Sequence, residues 1–286
     1  MAANDLSHTN SAASSLDLND GIVYALLEGS PRGIFGVPYD LVTADTPMRR
    51  PRGILLGAQP RARAIEIDIM VKGATRSALA TNLRALRAHF AVDARDGAMG
   101  TLDYTADNTN QRIYKVTPWI GDAQDANSWL RSGASTRGWA IVTISLYALD
   151  PTCYDPSAVT PSGALSGTSS VNISCANAGD EDAWISSIVI GAGGTVATNL
   201  KITDAYGTWL EFVDTVEAAE TLTLVLDPQN LSFTHSVDGD WTNKRKTGSA
   251  IPVIKHGTNN LVVKGDDAGD DAAVAISFCS TYSGHG

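Results

Sequence analysis

The sequence predicts a mainly β protein in which an N-terminal β-rich domain with one α-helix precedes a C-terminal antiparallel β-sandwich of jelly-roll type. Three observations lead to this prediction. Residues 61–71 alternate between apolar and charged side chains, as a strand with one buried face does. Only the segment from Arg76 to Phe90 carries apolar residues convincingly at helical spacing. Beyond residue 170, short β-type runs follow one another with turn residues between them, which is typical of a sandwich.

Length and composition agree with two globular domains. A chain of 286 residues is long enough to bury two hydrophobic cores. Hydrophobic residues make up 43% and charged residues 18%, which argues against a disordered or fibrous chain. Residues 1–150 carry 15 basic and 15 acidic residues, whereas residues 151–286 carry 6 and 16, so the second half supplies the whole net charge of −10. An acidic half disfavours nucleic acid as a partner.

The composition divides the chain into four parts. We predict a flexible N-terminal segment at residues 1–20, a first domain at 21–155, a linker rich in proline and small residues at 156–170, and the sandwich at 171–286. The first segment is polar and lacks the cationic start and apolar run of a secretory signal. The apolar stretch that follows it is too short to span a bilayer. We therefore expect a protein that is made in the cytoplasm and does not enter a membrane.

The first domain opens with a predicted strand at Gly21–Leu27 and a loop rich in glycine and proline. In the strand at 61–71, the alternation places the isoleucines on a core face and Arg63, Glu66 and Asp68 outside. A predicted hairpin of residues 101–104 and 112–117 comes later, and a largely buried strand at 139–149 ends at an Asp-Pro pair.

The predicted helix lies between the strand at 61–71 and the hairpin. Thr75 is positioned to cap it, and its apolar residues Leu79, Leu83, Leu86 and Phe90 recur at helical spacing. The opposite face carries arginines, which are either solvated or form a basic face for a partner; we favour the solvated reading.

The second domain is predicted to contain eight short strands and no periodic helix. The predicted strands are Val171–Cys175, Trp184–Ile190, Leu200–Thr203, Trp209–Val213, Thr221–Leu226, Leu231–Ser236, Asn260–Val263 and Ala272–Phe278.

A group of arginines in the first domain is the candidate interface for a neighbouring subunit. Its members are Arg49, Arg50, Arg52, Arg61 and Arg63. Such a cluster binds phosphate groups in some proteins and pairs with carboxylates of another subunit in others. No aromatic interleaving or nucleic-acid motif accompanies it, so we favour protein pairing or simple solvation.

The sequence contains no recognisable catalytic, metal or cofactor motif. The five histidines are scattered, no Gly-x-Ser-x-Gly elbow or phosphate-binding loop is present, and three cysteines fit neither a disulfide framework nor a zinc site. The four aspartates at 266, 267, 270 and 271 crowd one loop, but they lack the spacing of a calcium loop and suit a solvated hairpin tip better. We expect no enzyme, no cofactor and no metal.

Four aromatic residues of the second domain are candidates for a sugar-binding platform, because sugar faces stack on rings. They are Trp184, Tyr206, Trp209 and Trp241. Packing in the core explains such residues at least as well, and the sequence leaves both readings open.

Short motifs across residues 61–280 give a resemblance to a known family. The long strand ends in Ala148-Leu149-Asp150-Pro151-Thr152-Cys153-Tyr154, and the second half contains Asn177-Ala178-Gly179, then Thr203-Asp204-Ala205-Tyr206-Gly207-Thr208, then Ala218-Ala219-Glu220 and Gly257-Thr258-Asn259-Asn260. With the order of strand, helix and hairpin, these motifs resemble the distal tail proteins of long-tailed siphophages. The chain departs from the family where Ala219 replaces a frequent glycine and where Thr-Cys follows the Asp-Pro.

The resemblance implies a split-barrel-like first domain that forms a ring, usually a hexamer, and a galectin-like second domain that projects outward. It implies a virion component at the tail tip, assembled in the host cytoplasm, whose partners are other copies of itself, the tail tube protein, and tail-tip, hub or receptor-binding proteins. A host surface glycan is a further candidate partner for the second domain. The alternative function is a carbohydrate-binding adhesin or tail-fibre module, and a glycan hydrolase ranks third.

Overall fold

The chain folds into two compact units. One consists of Met1–Tyr154 with Ser283–Gly286, and the other of Asp155–Tyr282. The computed structural model describes residues 5–34, 38–44, 54–106, 110–118, 130–132, 138–166, 170–193, 196–227, 230–266 and 271–284.

The first unit contains ten strands and one long helix among its described residues. They are β1 (Asp5–Thr9), β2 (Ser15–Asp17), β3 (Tyr24–Leu26), β4 (Tyr39–Ala44), β5 (Ile54–Pro60), β6 (Arg63–Lys72), α1 (Arg76–Asp96), β7 (Gly100–Ala106), β8 (Asn110–Pro118), β9 (Leu130–Ser132) and β10 (Trp139–Ala148). A further strand, β11 (Cys153–Val159), begins in this unit and continues into the other.

Two larger antiparallel strand groups and the separate hairpin of β4 and β5 make up the described sheets of the first unit. In one group the strands lie in the order β2, β1, β7, β8, and in the other β6 lies between β3 and β10. The end of β10 also pairs with β8, with Leu146 opposite Pro118. Strands β6 and β10 pair over ten residues each, and alternate residues of both strands are buried. The predicted strand, hairpin and long strand of this domain are therefore confirmed.

Helix α1 packs against β6 and β8 through the apolar face that the sequence predicts. Thr75 caps its start by accepting a hydrogen bond from the backbone N–H of Ala78 at 3.1 Å. The helix runs six residues beyond the predicted end at Phe90, because Asp93 continues its buried face. Gly97 ends it in the left-handed conformation (φ 63°), which glycine adopts without steric penalty.

Residues 5–17 differ from the flexible segment that the sequence predicts. Strand β1 pairs with β2 on one side and with β7 on the other. Leu6, His8 and Asn10 are buried at alternate positions. These pairings order the segment. Polar side chains occupy two of the three buried positions, so the sequence shows no apolar alternation there.

The second unit contains the remaining strands, all antiparallel in their recorded pairings. They are β12 (Ser162–Ser166), β13 (Ser170–Asn177), β14 (Ala183–Ala192), β15 (Ala197–Thr198), β16 (Lys201–Thr203), β17 (Trp209–Glu211), β18 (Thr215–Val216), β19 (Thr221–Val225), β20 (Ser232–His235), β21 (Gly239–Asp240), β22 (Val253–Ile254), β23 (Gly257–Lys264) and β24 (Asp271–Tyr282). A 3₁₀ turn covers Thr242–Lys244.

Two sheets of the second unit enclose one hydrophobic core. One sheet has the order β12, β24, β14, β19, β20, β21, and the other β13, β23, β16, β17. Ile188 and Ile276 from the first sheet and Ile202 and Val263 from the second are all buried in the core. This is an antiparallel sandwich, and the mainly β fold with one α-helix in the described residues is the predicted class.

The predicted linker at 156–170 contains regular structure in its described part. Strand β12 pairs along its whole length with β24, from Ser162 opposite Ala275 to Ser166 opposite Asp271. No helix in the described part of the chain has the length and apolar character needed to cross a membrane.

Candidate interaction surfaces

The arginine group does not form one cluster in the described residues. Arg49, Arg50 and Arg52 lie outside the described residues, in the connection between β4 and β5. The two strands pair from Tyr39 opposite Pro60 to Ala44 opposite Ile54. Arg61 follows this hairpin and is exposed.

Asp68 and Arg63 are both buried, which corrects the prediction that they face outward. Arg63 is the more deeply buried of the two. Its side chain is 2% exposed, and a guanidinium N–H donates to the carbonyl oxygen of Ser283 at 2.7 Å. The guanidinium carbon also lies 5.4 Å from the centre of the Tyr114 ring, within the range of a cation–π contact. Position 63 has the same parity as the buried residues Ile65 and Ile67, so the alternation itself marks it as inward-facing.

Two of the four candidate aromatic residues, Trp184 and Tyr206, are exposed. Trp184 is 42% exposed at the start of β14, directly opposite Val253 of β22. Tyr206 is 54% exposed in the turn between β16 and β17. The ammonium of Lys255 lies 5.2 Å from the centre of the Tyr206 ring.

Asp182 interacts with Tyr206 and is close to Trp184 in the sequence. It lies two residues before Trp184 and therefore on the same side of the extended chain. A hydrogen bond with Asp182 is the main reason that the pKa of Tyr206 is raised above its ordinary value, with a smaller contribution from the charge of Asp204. Asp182 also accepts the backbone N–H of His256 at 3.2 Å. Trp184, Tyr206, Asp182 and Lys255 together are called the aromatic–acid patch below.

The other two candidate aromatic residues lie elsewhere. Trp209 is half-buried between two ammonium groups, with that of Lys201 at 4.8 Å and that of Lys246 at 6.0 Å from the ring centre. Trp241 is 1% exposed, and its ring stacks on the imidazole of His235 at 4.4 Å. Trp241 is thus a core residue.

The acidic loop engages neighbouring loops in its described part. Asp266 accepts a hydrogen bond from the side chain of Asn199 at 2.5 Å, and the backbone of Asp271 pairs with Gly193. Asp267 and Asp270 lie outside the described residues. Within the described ranges, no group of three or more His, Cys, Asp or Glu residues is arranged to hold a metal ion.

A buried polar cluster in the first unit is not predicted by any sequence pattern. His8 and Asp93 are fully buried, and His8 Nδ1 lies 3.0 Å from His89 Nε2. His8 and His89 are separated by 81 residues, so only the tertiary fold brings them together.

The fold is that of phage tail hub and baseplate proteins. Over 96% of this chain and 98% of the other, it is similar to the SPP1 Dit (gp 19.1) protein, described as a paradigm of the hub adsorption apparatus in phages that infect Gram-positive bacteria, with a TM-score of 0.66 and 16% identity. It is also similar to a chain of the phage p2 baseplate in its activated conformation, with Sr and with Ca, each with a TM-score of 0.52, 11% identity and the same coverage. No family model and no curated protein sequence matches the chain. The resemblance to distal tail proteins is confirmed for the fold.

Proposed function

We propose that this protein is a structural component of a phage tail tip, a distal tail hub that joins the tail tube to the adsorption apparatus. The similarity to the SPP1 Dit hub protein carries this proposal, because it extends over nearly the whole of both chains and includes both units. A protein with this role works by assembly, so the proposal assigns it no catalytic activity and places it in the virion.

The first unit is the part that we propose forms a ring, with six copies as the expected number. A closed ring needs two different contact surfaces on each copy. We propose that Arg49, Arg50, Arg52 and the exposed Arg61 supply one of them, because guanidinium groups this close together in the sequence suit carboxylates of a neighbouring copy. Arg63 is excluded from this surface by its burial.

Light scattering on the purified protein over a range of concentrations tests the ring. A discrete oligomer of ring size supports the hub, and particles with a central channel in electron micrographs would add to that support. A protein that stays monomeric at high concentration, both alone and with tail tube protein, contradicts it.

Charge reversal tests the proposed interface within the ring. The triple variant R49E/R50E/R52E is expected to dissociate into smaller species, since like charges then meet the carboxylates of the neighbour. The variant R76E/R84E/R87E, on the exposed face of α1, is the matched control and retains the oligomer. If the first variant assembles like the wild type, the interface lies elsewhere.

We propose glycan binding as a second role for the second unit. The aromatic–acid patch supports it, because Trp184 and Tyr206 offer exposed ring faces beside a carboxylate and an ammonium group. Binding to a panel of host surface polysaccharides is the test, with W184A expected to abolish it. Leu231, which is equally exposed at 42%, provides the control L231A. Absence of binding across the panel removes this role and leaves the hub proposal intact.

A further inference from the structure

We propose that the N-terminal hairpin of β1 and β2 is held against helix α1 by a proton-sensitive clamp, which is closed while His8 and His89 are both neutral and opens when they take up protons. The proposal concerns the single chain and is independent of the hub role.

The clamp is a buried polar cluster between β1 and the last turns of α1. His8 lies in the middle of β1, fully buried, with its ring centre 4.5 Å from that of Phe90. Asp93 is also fully buried, and its Oδ1 accepts the backbone N–H of Ser11 at 2.6 Å. The side-chain amide of Asn10 donates to the backbone oxygen of His89 at 3.3 Å. Three consecutive contacts thus attach the hairpin to the helix.

The hydrogen bonds assign the proton positions on both imidazoles. His89 Nε2 lies 3.1 Å from the carbonyl oxygen of His8, which only accepts, so this nitrogen carries a proton. The same nitrogen lies 3.0 Å from His8 Nδ1, which therefore accepts. The proton of neutral His8 is then on Nε2, which faces Asp93 Oδ2 at 3.5 Å. His89 Nδ1 is left to accept from the amide of Asn10 at 3.5 Å.

A second proton on either ring disrupts this arrangement. On His8 it would occupy Nδ1 and face the N–H of His89. On His89 it would occupy Nδ1 and face the N–H of the Asn10 amide. Both cases set two donors against each other in a buried site, where an unsatisfied polar group is costly.

One carboxylate faces the cluster, and it offsets part of the cost of adding a proton to the imidazoles. Asp93 is the carboxylate of α1 that faces the imidazoles. Strands β2 and β7 place Leu16 and Leu102 opposite His8. The carboxylates Asp17 and Asp103 are opposite Ser7, on the other face of β1.

The backbone packs too closely around the cluster for it to adjust easily. A Cβ on Gly100 would lie 2.6 Å from the carbonyl oxygen of Thr9, 2.7 Å from Asp93 Oδ2 and 2.8 Å from His8 Nε2. The three atoms therefore converge on the Cα of a glycine, and the site has no room for a side chain there.

The pKa values of the two histidines give the direction in which the strength of the clamp changes with pH. Burial, with a smaller effect of the charge on His89, lowers the pKa of His8 from 6.5 to about 3. Burial also lowers the pKa of His89, against the opposing effects of its hydrogen bond to the His8 backbone and of Asp93. A histidine with a lowered pKa in the closed state binds fewer protons than in the open state. The clamp is therefore at full strength above about pH 6.5 and weakens as the pH falls from there towards about 3.

Hydrogen exchange of the full-length protein tests the clamp at about pH 7.5 and about pH 5.0, with protection expressed relative to an unstructured peptide of the same sequence at the same pH. One imidazole whose pKa is strongly lowered in the closed state shifts the equilibrium between closed and open clamp by up to about 30-fold at pH 5.0. We expect protection of residues 5–17 to fall more than about tenfold between the two pH values, while that of β23 stays unchanged.

Substitutions separate the histidines from other titrating groups. H8Q/H89Q is expected to remove the pH dependence of protection in residues 5–17. H89Q alone is expected to reduce it, and this single variant provides the test if the double variant does not fold. H256Q, at an imidazole that is 60% exposed in the second unit, is the control and behaves like the wild type. Unchanged wild-type protection at the lower pH, or wild-type pH dependence in the double or the H89Q variant, would overturn the proposal.

Discussion

The ring of Trp241 stacks on the imidazole of His235, with their centres 4.4 Å apart and their planes 12° from parallel. The indole N–H donates to the carboxylate of Asp238 at 3.3 Å. A large aromatic side chain with a satisfied polar atom is therefore fixed inside the sandwich core, where it also lies near Phe212.

Removal of this ring is expected to destabilise the second unit strongly. W241A should lower the free energy of unfolding by about 3–5 kcal/mol, because it leaves a cavity in a close-packed core. W184A, at an exposed position, should lower it by no more than about 1 kcal/mol. Urea denaturation measures both. Equal effects of the two substitutions would contradict the assignment of Trp241 to the core and Trp184 to the surface.

Arg63 and Ser283 give a test of the first unit. R63M leaves the carbonyl oxygen of Ser283 without its buried donor and is expected to lower the free energy of unfolding by about 1–3 kcal/mol. R61M, at an exposed arginine two residues earlier, should change it by less than about 0.5 kcal/mol. Hydrogen exchange should show the loss of protection in β6 and β10 and not in β23. A uniform loss in both units would argue against a local role.

Two glycines near the end of α1 respond differently to an added methyl group. G97A meets no atom within 4 Å and only forces alanine into a left-handed backbone, which costs about 1 kcal/mol. G100A places its methyl group against the carbonyl oxygen of Thr9 and should cost about 1–3 kcal/mol by overpacking. Thermal unfolding compares the two. G100A should also reduce the protection of residues 5–17; if it does not, the close packing around His8 does not fix the hairpin.

Asp182 and Tyr206 give a test of the aromatic–acid patch by titration. D182A removes the main cause of the raised pKa of Tyr206, so that pKa should move down towards its ordinary value of 10.0. Near-ultraviolet absorbance follows the phenolate, and the difference from Y206F isolates this residue from the other tyrosines. D180A, at a neighbouring carboxylate of the same turn, serves as the comparison. A titration of Tyr206 that is the same in D182A and the wild type would remove Asp182 from the patch.

The elements that periodicity alone defines could be predicted from the sequence. Helix α1 was predicted from its apolar spacing and from Thr75, and β10 from its branched and aromatic residues, because both patterns are local. Strand β1 could not be predicted, since two of its buried positions hold His8 and the nearby Asn10, whose partners lie about 80 residues away in sequence. A search of the sequence for apolar alternation therefore finds only a polar segment at β1.

The candidate surface residues also divide into features that a local pattern predicts and features that depend on tertiary packing. The sequence marks aromatic residues but not their depth, so Trp184 and Trp241 appear equivalent until the packing separates them. The charge of Arg63 leads to a prediction of exposure, although its position in β6 has the same parity as the buried Ile65 and Ile67. Its carbonyl partner and the ring of Tyr114 decide in favour of burial.

The contact between Arg63 and Ser283 also limits when the first unit can be completed during protein synthesis. Residues 155–282 form a contiguous unit, whereas the first unit needs residue 283 as well as its N-terminal stretch. A ribosome takes on the order of ten seconds to translate the stretch between Arg63 and Ser283. Throughout that interval Arg63 has been synthesised and its carbonyl partner has not. A nascent or prematurely terminated chain therefore lacks the carbonyl partner of Arg63, and only translation through residue 283 supplies it.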